Sequence, residues 1–136
     1  MDMATKRKFE THRDLEVYRK SFEAAMEVFE ASKRFPPEER YSLTDQGRRS
    51  SRSVSANIAE AWRKRRYEAA FISKLSDAEA EAAETQVWIE YRVRCGYLDR
   101  EAAKPVYQQY EDILKMIIAM INHPDVWIIT PVESRA

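Results

Sequence analysis

The sequence predicts an all-α protein folded as an antiparallel up-down-up-down four-helix bundle. Its 136 residues include only two glycines, whereas alanine, glutamate, arginine and lysine, which favour helices, are abundant. Apolar side chains recur every three or four residues in four long segments, which is the spacing of one face of a helix. The length suits one domain with its own core, without disulfides or metals.

The first helix is expected from about Asp14, a good N-cap, to about Arg34. The Phe35-Pro36-Pro37 segment ends it, because proline lacks a backbone donor and disfavours a helical residue before it. Its apolar stripe is interpreted as core and not as a ligand site. The stripe contains Leu15, Tyr18, Phe22, Ala25, Phe29 and Ser32, with Met26 beside it.

The second helix is expected to begin at a Ser42 cap and to end near Arg66. Gly47 inside a helix costs about 1 kcal/mol relative to alanine, so a close approach of a neighbouring helix is the simplest explanation for it. Its packing face is small and apolar: Leu43, Gly47, Ser50, Val54, Ile58 and Ala61. Roughly opposite lie Arg48, Arg52 and Arg63, which are expected to face solvent.

The third helix is expected from about Tyr67 to Arg94 and the fourth from Asp99 to about Asn122. Residues 14–122 then form the bundle, and residues 1–13 a flexible N-terminal tail. Residues 123–136 form an apolar C-terminal tail, expected to dock on the bundle or on a neighbouring subunit, with a short strand as an alternative.

Charge is unevenly distributed along a chain whose net charge is zero. Residues 44–66 hold seven basic residues against Asp45 and Glu60, a local excess of five positive charges. Residues 67–136 hold seven basic and twelve acidic residues. The net charge alone predicts no polyanion partner, but this asymmetry reopens the question. The candidate nucleic-acid-binding residues are Arg48, Arg49, Arg52, Arg63, Lys64, Arg65 and Arg66.

Two other interpretations of this segment stay open. The basic face could be solvated and paired with acidic residues of the third helix of the same subunit or of a neighbouring one. Trp62 and Tyr67 flank the basic residues and could either stack on unpaired bases or be buried.

Asn57 and Glu60 are interpreted as structural residues, together with Gly47. Asn57 is expected to bond to an adjacent helix or loop, and Glu60 to pair with a basic residue such as Arg49 or Lys64. No histidine, cysteine or second carboxylate is placed to join them in catalysis, so no enzyme is predicted.

Metal, cofactor and membrane sites are not predicted either. His12 and His123 are far apart and lack further ligands at useful spacing, and no glycine-rich loop is present to bind phosphate. The single Cys95 cannot form an intramolecular disulfide, which favours a cytoplasmic protein. No apolar run approaches the ~20 residues of a membrane span.

Several segments resemble the four-helix-bundle family of proteins encoded in 23S rRNA intervening sequences, over about residues 14–121. The accessory variability protein of diversity-generating retroelements shares this fold family. The resemblance departs at Ser55, where the family often has proline, and at Ala61-Trp62, where it often has glycine and an aromatic. The segments are Leu15-Glu16-Val17-Tyr18, Phe35-Pro36, Glu38 to Thr44, Gln46 with Arg48-Arg49, Ser53 to Glu60, and Gly96-Tyr97-Leu98.

The resemblance implies a ring-shaped homopentamer without known catalytic activity. Within this fold family, the retroelement relative binds nucleic acid and a reverse transcriptase through a basic surface, whereas the molecular role of the intervening-sequence members is poorly defined. Two functional hypotheses follow: a nucleic-acid-associated accessory protein, or a protein-binding oligomeric scaffold without nucleic-acid contact.

Overall fold

The computed structural model describes residues 9–129 of the chain and contains four long helices. We name them α1 (Glu16–Ser32), α2 (Asp45–Arg63), α3 (Glu68–Arg94) and α4 (Arg100–Asn122). Short 3₁₀ turns lie at His12–Asp14, Pro37–Glu39 and Pro124–Val126, and a π-helical turn, Arg40–Thr44, leads into α2. No strand occurs between residues 9 and 129, so the predicted all-α four-helix fold is confirmed.

Each helix packs on the next, and α4 also packs on α1. Three side-chain bonds each join the C-terminal part of one helix to the N-terminal part of the next, the pattern of up-down connectivity. These bonds are Arg48–Ser32 (2.7 Å), Lys74–Glu60 (3.1 Å) and Tyr107–Glu90 (3.3 Å).

The core draws on all four helices and includes the whole predicted packing face of α2. Buried hydroxyls lie among its apolar side chains: Ser50 and Thr85 are 2.8 Å apart, and Ser21 and Ser55 are 3.0 Å apart. Because these residues are small and their hydroxyls are paired, α2 can lie close to both α1 and α3 without leaving these hydroxyls unsatisfied. All six residues of the predicted face are buried, with Leu43 in the π-helical turn and the others in α2: Leu43, Gly47, Ser50, Val54, Ile58 and Ala61.

The core face of α1 differs from the predicted one. Phe22 and Met26 remain 47% and 42% exposed, and Tyr18 and Phe29 are only half-buried. Helix α1 has two apolar lines, and the slimmer one allows the closer approach to α2 and therefore faces the core. That line consists of Val17, Ser21, Ala24, Ala25 and Val28.

Asp14 is not the N-cap of α1. Its carboxylate accepts hydrogen bonds from the backbone N–H groups of Glu10 (2.7 Å) and Thr11 (3.0 Å), so it closes a capping box with Thr11 around the preceding turn. Helix α1 begins after Leu15, which has an extended backbone and no side-chain cap bond.

Ser42 does not cap α2 either. Its hydroxyl donates to Glu39 Oε1 at 2.7 Å, and the same oxygen accepts from the backbone N–H of Leu43 at 3.4 Å. The hydroxyl of Tyr97, in the loop between α3 and α4, donates to Glu39 Oε2 at 3.0 Å. Glu39 is thus the capping residue, because the helical turn begins earlier than the sequence suggested.

Both ends of the described segment, residues 9–129, contact the same end of the bundle. The rings of Phe9 and Trp127 meet edge to face at 5.4 Å, and the backbone N–H of Ile129 donates to the carbonyl of Arg65 at 2.9 Å. The described part of the C-terminal tail therefore docks on its own bundle, and residues 9–13 make defined contacts instead of forming part of a free tail. Residues 1–8 and 130–136 of the predicted tails lie outside the described residues.

Candidate nucleic-acid interface

The seven predicted basic residues fall into two groups at opposite ends of α2. At 1.5 Å per residue, Arg52 and Arg63 are about 16 Å apart along the helix axis. We call the first group, Arg48, Arg49 and Arg52, the upper basic group. We call residues 63–66, which hold Arg63, Lys64, Arg65 and Arg66, the basic turn.

Within the upper basic group, Arg48 does not point freely outward as predicted. Its Nε donates to Ser32 Oγ of α1 at 2.7 Å, and its guanidinium lies 4.7 Å from the centre of the Phe29 ring. The guanidinium of Arg52 lies 5.5 Å from the same ring. Because α1 leaves Phe29 half-buried, its ring face attracts both cations. Arg49 and Arg52 remain exposed.

Within the basic turn, Arg65 is also occupied. Its Nε donates to the carbonyl of Trp62 at 2.8 Å, and its guanidinium lies 3.5 Å from the centre of the Trp62 ring. Burial and the neighbouring Arg63 lower the pKa of Arg65. Trp62 is 3% exposed, so of the two alternatives left open for this residue the buried one holds. Arg63, Lys64 and Arg66 are exposed.

The exposed cations of both groups are not held by the acidic third helix. Among residues 9–129, no ion pair within 4.0 Å includes any of the seven basic residues. Arg49 is close enough to Glu81 to lower its pKa in part, but burial and Glu84 raise it more. The alternative of a basic face neutralised by α3 contacts within one chain therefore finds no support in this geometry.

The predicted structural residues have different partners from those expected. Asn57 donates to the carbonyl of Ser53 at 2.9 Å and to its hydroxyl at 3.1 Å, because the two side chains lie one turn apart on α2. Glu60 pairs with Lys74 of α3 at 3.1 Å and not with Arg49 or Lys64, since its flank of α2 faces α3. Neither side chain bonds to a side chain of the basic turn, although the backbone carbonyl of Glu60 accepts from the N–H of Lys64 at 3.1 Å.

Gly47 is buried against Arg92, which lies in the last turn of α3. Arg92 is 1% exposed, donates from Nη1 to the carbonyl of Val28 at 3.2 Å and lies over the Phe35 ring at 4.7 Å. Its Nε and Nη2 have no acceptor among residues 9–129. Burial, and to a lesser extent Arg48, lower the pKa of Arg92 to about 10. In the sequence, the spacing of three and four residues that joins Thr85 and Ile89 reaches Arg92 next, and this spacing was the signal that Arg92 lies on the buried face of α3.

A shallow groove between α1 and α2 lies beside the upper basic group, and the sequence analysis missed it. Its α1 wall is aromatic and apolar, its α2 wall is small, and Arg52 stands at one end. The signal available in the sequence was the second apolar line of α1. The groove is lined by Tyr18, Phe22, Ala25, Met26, Phe29, Arg52, Ser55, Ala56 and Ala59.

The described part of the chain holds no group of three or more histidine, cysteine, aspartate or glutamate side chains arranged to bind a metal ion. None of its helices has both the length and the apolar character that crossing a bilayer requires.

Residues 13–119 match the family model of the 23S rRNA-intervening sequence protein. The chain belongs to this family. The resemblance deduced from the sequence is therefore confirmed, and the match covers α1 to α3 and nearly all of α4.

A solved structure supports the assignment. It is the 1.70 Å crystal structure of a protein of unknown function from the S23 ribosomal protein family of Bacteroides thetaiotaomicron. The two chains are 34% identical and superpose with a TM-score of 0.70, over 77% of this chain and 97% of the other. No curated protein matches this chain. Family membership thus supports the helical fold, and the molecular role has to be inferred from the exposed residues.

Proposed function

We propose that this family member is a non-enzymatic, nucleic-acid-associated accessory protein that contacts RNA or DNA phosphates through α2. The observation that carries the proposal is the set of exposed cations without a carboxylate partner among residues 9–129. In the upper basic group these are Arg49 and Arg52, and in the basic turn they are Arg63, Lys64 and Arg66.

Phosphate contacts of this kind give affinity without reading sequence. Each contact releases condensed counterions, so the binding constant falls steeply as salt rises. Arg48 and Arg65 serve a different purpose in this proposal, because their hydrogen bonds and aromatic contacts fix the surface from which the other cations project.

Assembly would strengthen the effect. The homopentamer implied by the family resemblance would repeat the basic groups around a ring, and a cytoplasmic ring of this kind could hold nucleic acid beside a reverse transcriptase or another protein. These partners and the number of subunits form part of the proposal.

The test is a salt titration of binding to generic RNA and DNA, followed by fluorescence anisotropy. The Arg52→Glu/Arg63→Glu/Arg66→Glu variant reverses three exposed cations that make no hydrogen bond or ion pair within residues 9–129. A control variant, Arg100→Glu/Lys104→Glu/Lys115→Glu, makes the same change in net charge at three exposed cations of α4, of which Lys104 pairs with Glu101 at 3.2 Å.

The α2 variant should lose binding, and the salt slope of any remaining binding should fall by roughly two to three, at 0.7–0.9 per lost phosphate contact. The α4 control should keep most of the affinity. Equal binding by both variants and the wild type, or no binding by the wild type at low salt, would overturn the proposal.

A second candidate function is a protein-binding oligomeric scaffold without nucleic-acid contact. The observation that favours it is the groove between α1 and α2, where Phe22 and Met26 leave apolar surface exposed. A second copy of the chain is the occupant tested first. The Phe22→Ser/Met26→Ser variant should then lower the molar mass in light scattering while leaving helical content unchanged. An unchanged mass would remove this groove from the assembly.

A further inference from the structure

We propose that the basic turn binds single-stranded nucleic acid, with one unpaired base stacked on Tyr67. This inference rests on the proposed function and specifies its ligand class. The sequence left open whether Trp62, Tyr67 or neither could provide a stacking ring. The structure separates the two residues, because Trp62 is 3% exposed and Tyr67 is 68% exposed.

The backbone holds Tyr67 in a defined place. Its N–H donates to the carbonyl of Lys64 at 3.0 Å, which closes the turn, and its carbonyl accepts from the N–H of Phe71 at 2.9 Å in the first turn of α3. The ring therefore projects from a fixed junction between two helices. A ring carried on a fixed backbone loses little conformational freedom when a base stacks on it.

The Tyr67 side chain makes no hydrogen bond or aromatic contact within residues 9–129. It forms no cap bond for α3, and among residues 9–129 its hydroxyl makes no hydrogen bond and its ring packs on no other aromatic ring. Trp62, in contrast, is covered by Arg65 at 3.5 Å. The basic turn is thus flanked by two aromatic rings: Trp62, which is covered by a cation, and Tyr67, which is exposed to solvent.

The residues around Tyr67 supply the charge for a nucleic-acid backbone. Arg63, Lys64 and Arg66 are exposed and lie within four residues of it. Proteins that bind single strands without sequence preference combine cations, which contact the phosphates, with aromatic rings, on which the bases stack. Bases in a duplex are already stacked and paired, so a surface ring reaches them only after unstacking, which costs a few kcal/mol. The arrangement therefore favours an unpaired strand.

The experiment compares Tyr67→Ala and Tyr67→Phe with the wild type on a mixed-sequence single-stranded DNA and RNA, and on blunt duplexes of the same sequence. Anisotropy is measured at several salt concentrations. Tyr41→Ala is the matched control, because it removes the same side chain at another exposed position. Tyr41 is 84% exposed and lies in the turn before the other end of α2. Thermal unfolding followed by circular dichroism checks that each variant folds.

We expect Tyr67→Ala to weaken single-strand binding about fivefold or more, the lower bound for loss of one stacked base, with duplex binding and salt slope unchanged. Tyr67→Phe should keep the affinity, since it keeps the ring, and Tyr41→Ala should match the wild type. Stacking on Tyr67 is excluded if Tyr67→Ala binds single strands as tightly as the wild type does. It is also excluded if the substitution lowers the affinity for single strands and for duplexes by the same factor. In that case the cationic function still stands, provided that reversing Arg52, Arg63 and Arg66 abolishes binding. If the wild type binds neither ligand at low salt, both proposals fail.

Discussion

The backbone of Gly47 in α2 lies directly against the buried guanidinium of Arg92 in α3. A Cβ added at Gly47 would overlap Arg92 Nη2 and lie 3.2 Å from its Cζ. The sequence analysis explained Gly47 by the close approach of a neighbouring helix. In the structure, the atoms nearest to Gly47 belong to the charged side chain of Arg92, which bonds to the carbonyl of Val28 and lies over the Phe35 ring.

Gly47→Ala should therefore destabilise the protein, although alanine favours helices more than glycine by about 1 kcal/mol. We expect a net loss of about 1–3 kcal/mol in the free energy of unfolding, as for overpacking of a tight core. Urea unfolding followed by circular dichroism measures it. In an Arg92→Ala background the overlap disappears, and the same substitution should become neutral or stabilising. An equal loss in both backgrounds would show that Arg92 is not the cause.

Arg92→Met should leave the protein as stable as the wild type or more stable, by up to about 4 kcal/mol. Replacing a buried charge by an apolar side chain of similar length removes its desolvation cost, whereas Arg92→Ala adds a cavity and should be destabilising. The pKa of Arg92 in the fold is lowered to about 10, so the cation is buried at neutral pH.

The pH dependence of the Arg92→Met comparison has a defined sign. As pH rises through about 10, the folded wild type sheds this proton before the unfolded chain does, so the wild type gains stability relative to the variant. Unfolding measured at pH 8 and above checks this: an advantage of Arg92→Met that grows with pH would contradict the buried charge.

Glu60→Gln should change the free energy of unfolding by less than about 1 kcal/mol. The sequence analysis interpreted Glu60 as a structural residue. The Glu60–Lys74 pair is partly exposed, with 54% and 30% of the two side chains accessible, and such pairs contribute little and are screened by salt. Chemical unfolding at low and high salt measures the effect. A loss of several kcal/mol, with Lys74→Gln showing the same loss, would indicate a more deeply buried role.

Glu39 should make stability depend on pH in the acid range. Hydrogen bonds from Ser42 and Tyr97 lower the pKa of Glu39 below its ordinary value of 4.5. A carboxylate with a lowered folded pKa adds stability above its unfolded pKa and loses it as pH falls through the folded value. The advantage of the wild type over Glu39→Gln should thus be constant above pH 4.5 and shrink below it.

Unfolding curves from neutral pH down into the acid range give this comparison. Tyr97→Phe removes one of the two hydroxyl donors, so its curve should lie between those of the wild type and Glu39→Gln. Parallel curves for all three proteins would rule out the Glu39 carboxylate as the source of the acid sensitivity.

Much of the bundle follows from local rules in the sequence. The apolar periods predicted four helices with bounds close to those observed, and the small face of α2 was correctly identified as core. The helix starts were less predictable, because Asp14 and Ser42 are both good caps and each bonds in the preceding turn. A capping preference does not specify which of two adjacent turns a side chain will close.

The sequence by itself determined the helical class, the family and the segment that carries the positive charge, because these depend on composition, period and motif. Only the tertiary structure decided which of the two apolar lines of α1 enters the core, which arginines are tied to aromatic rings, and which are left exposed. It also decided that Trp62 is sealed while Tyr67 is open. The physical reason is that exposure depends on how closely neighbouring helices approach, and that distance is set by small residues and paired hydroxyls far away along the chain.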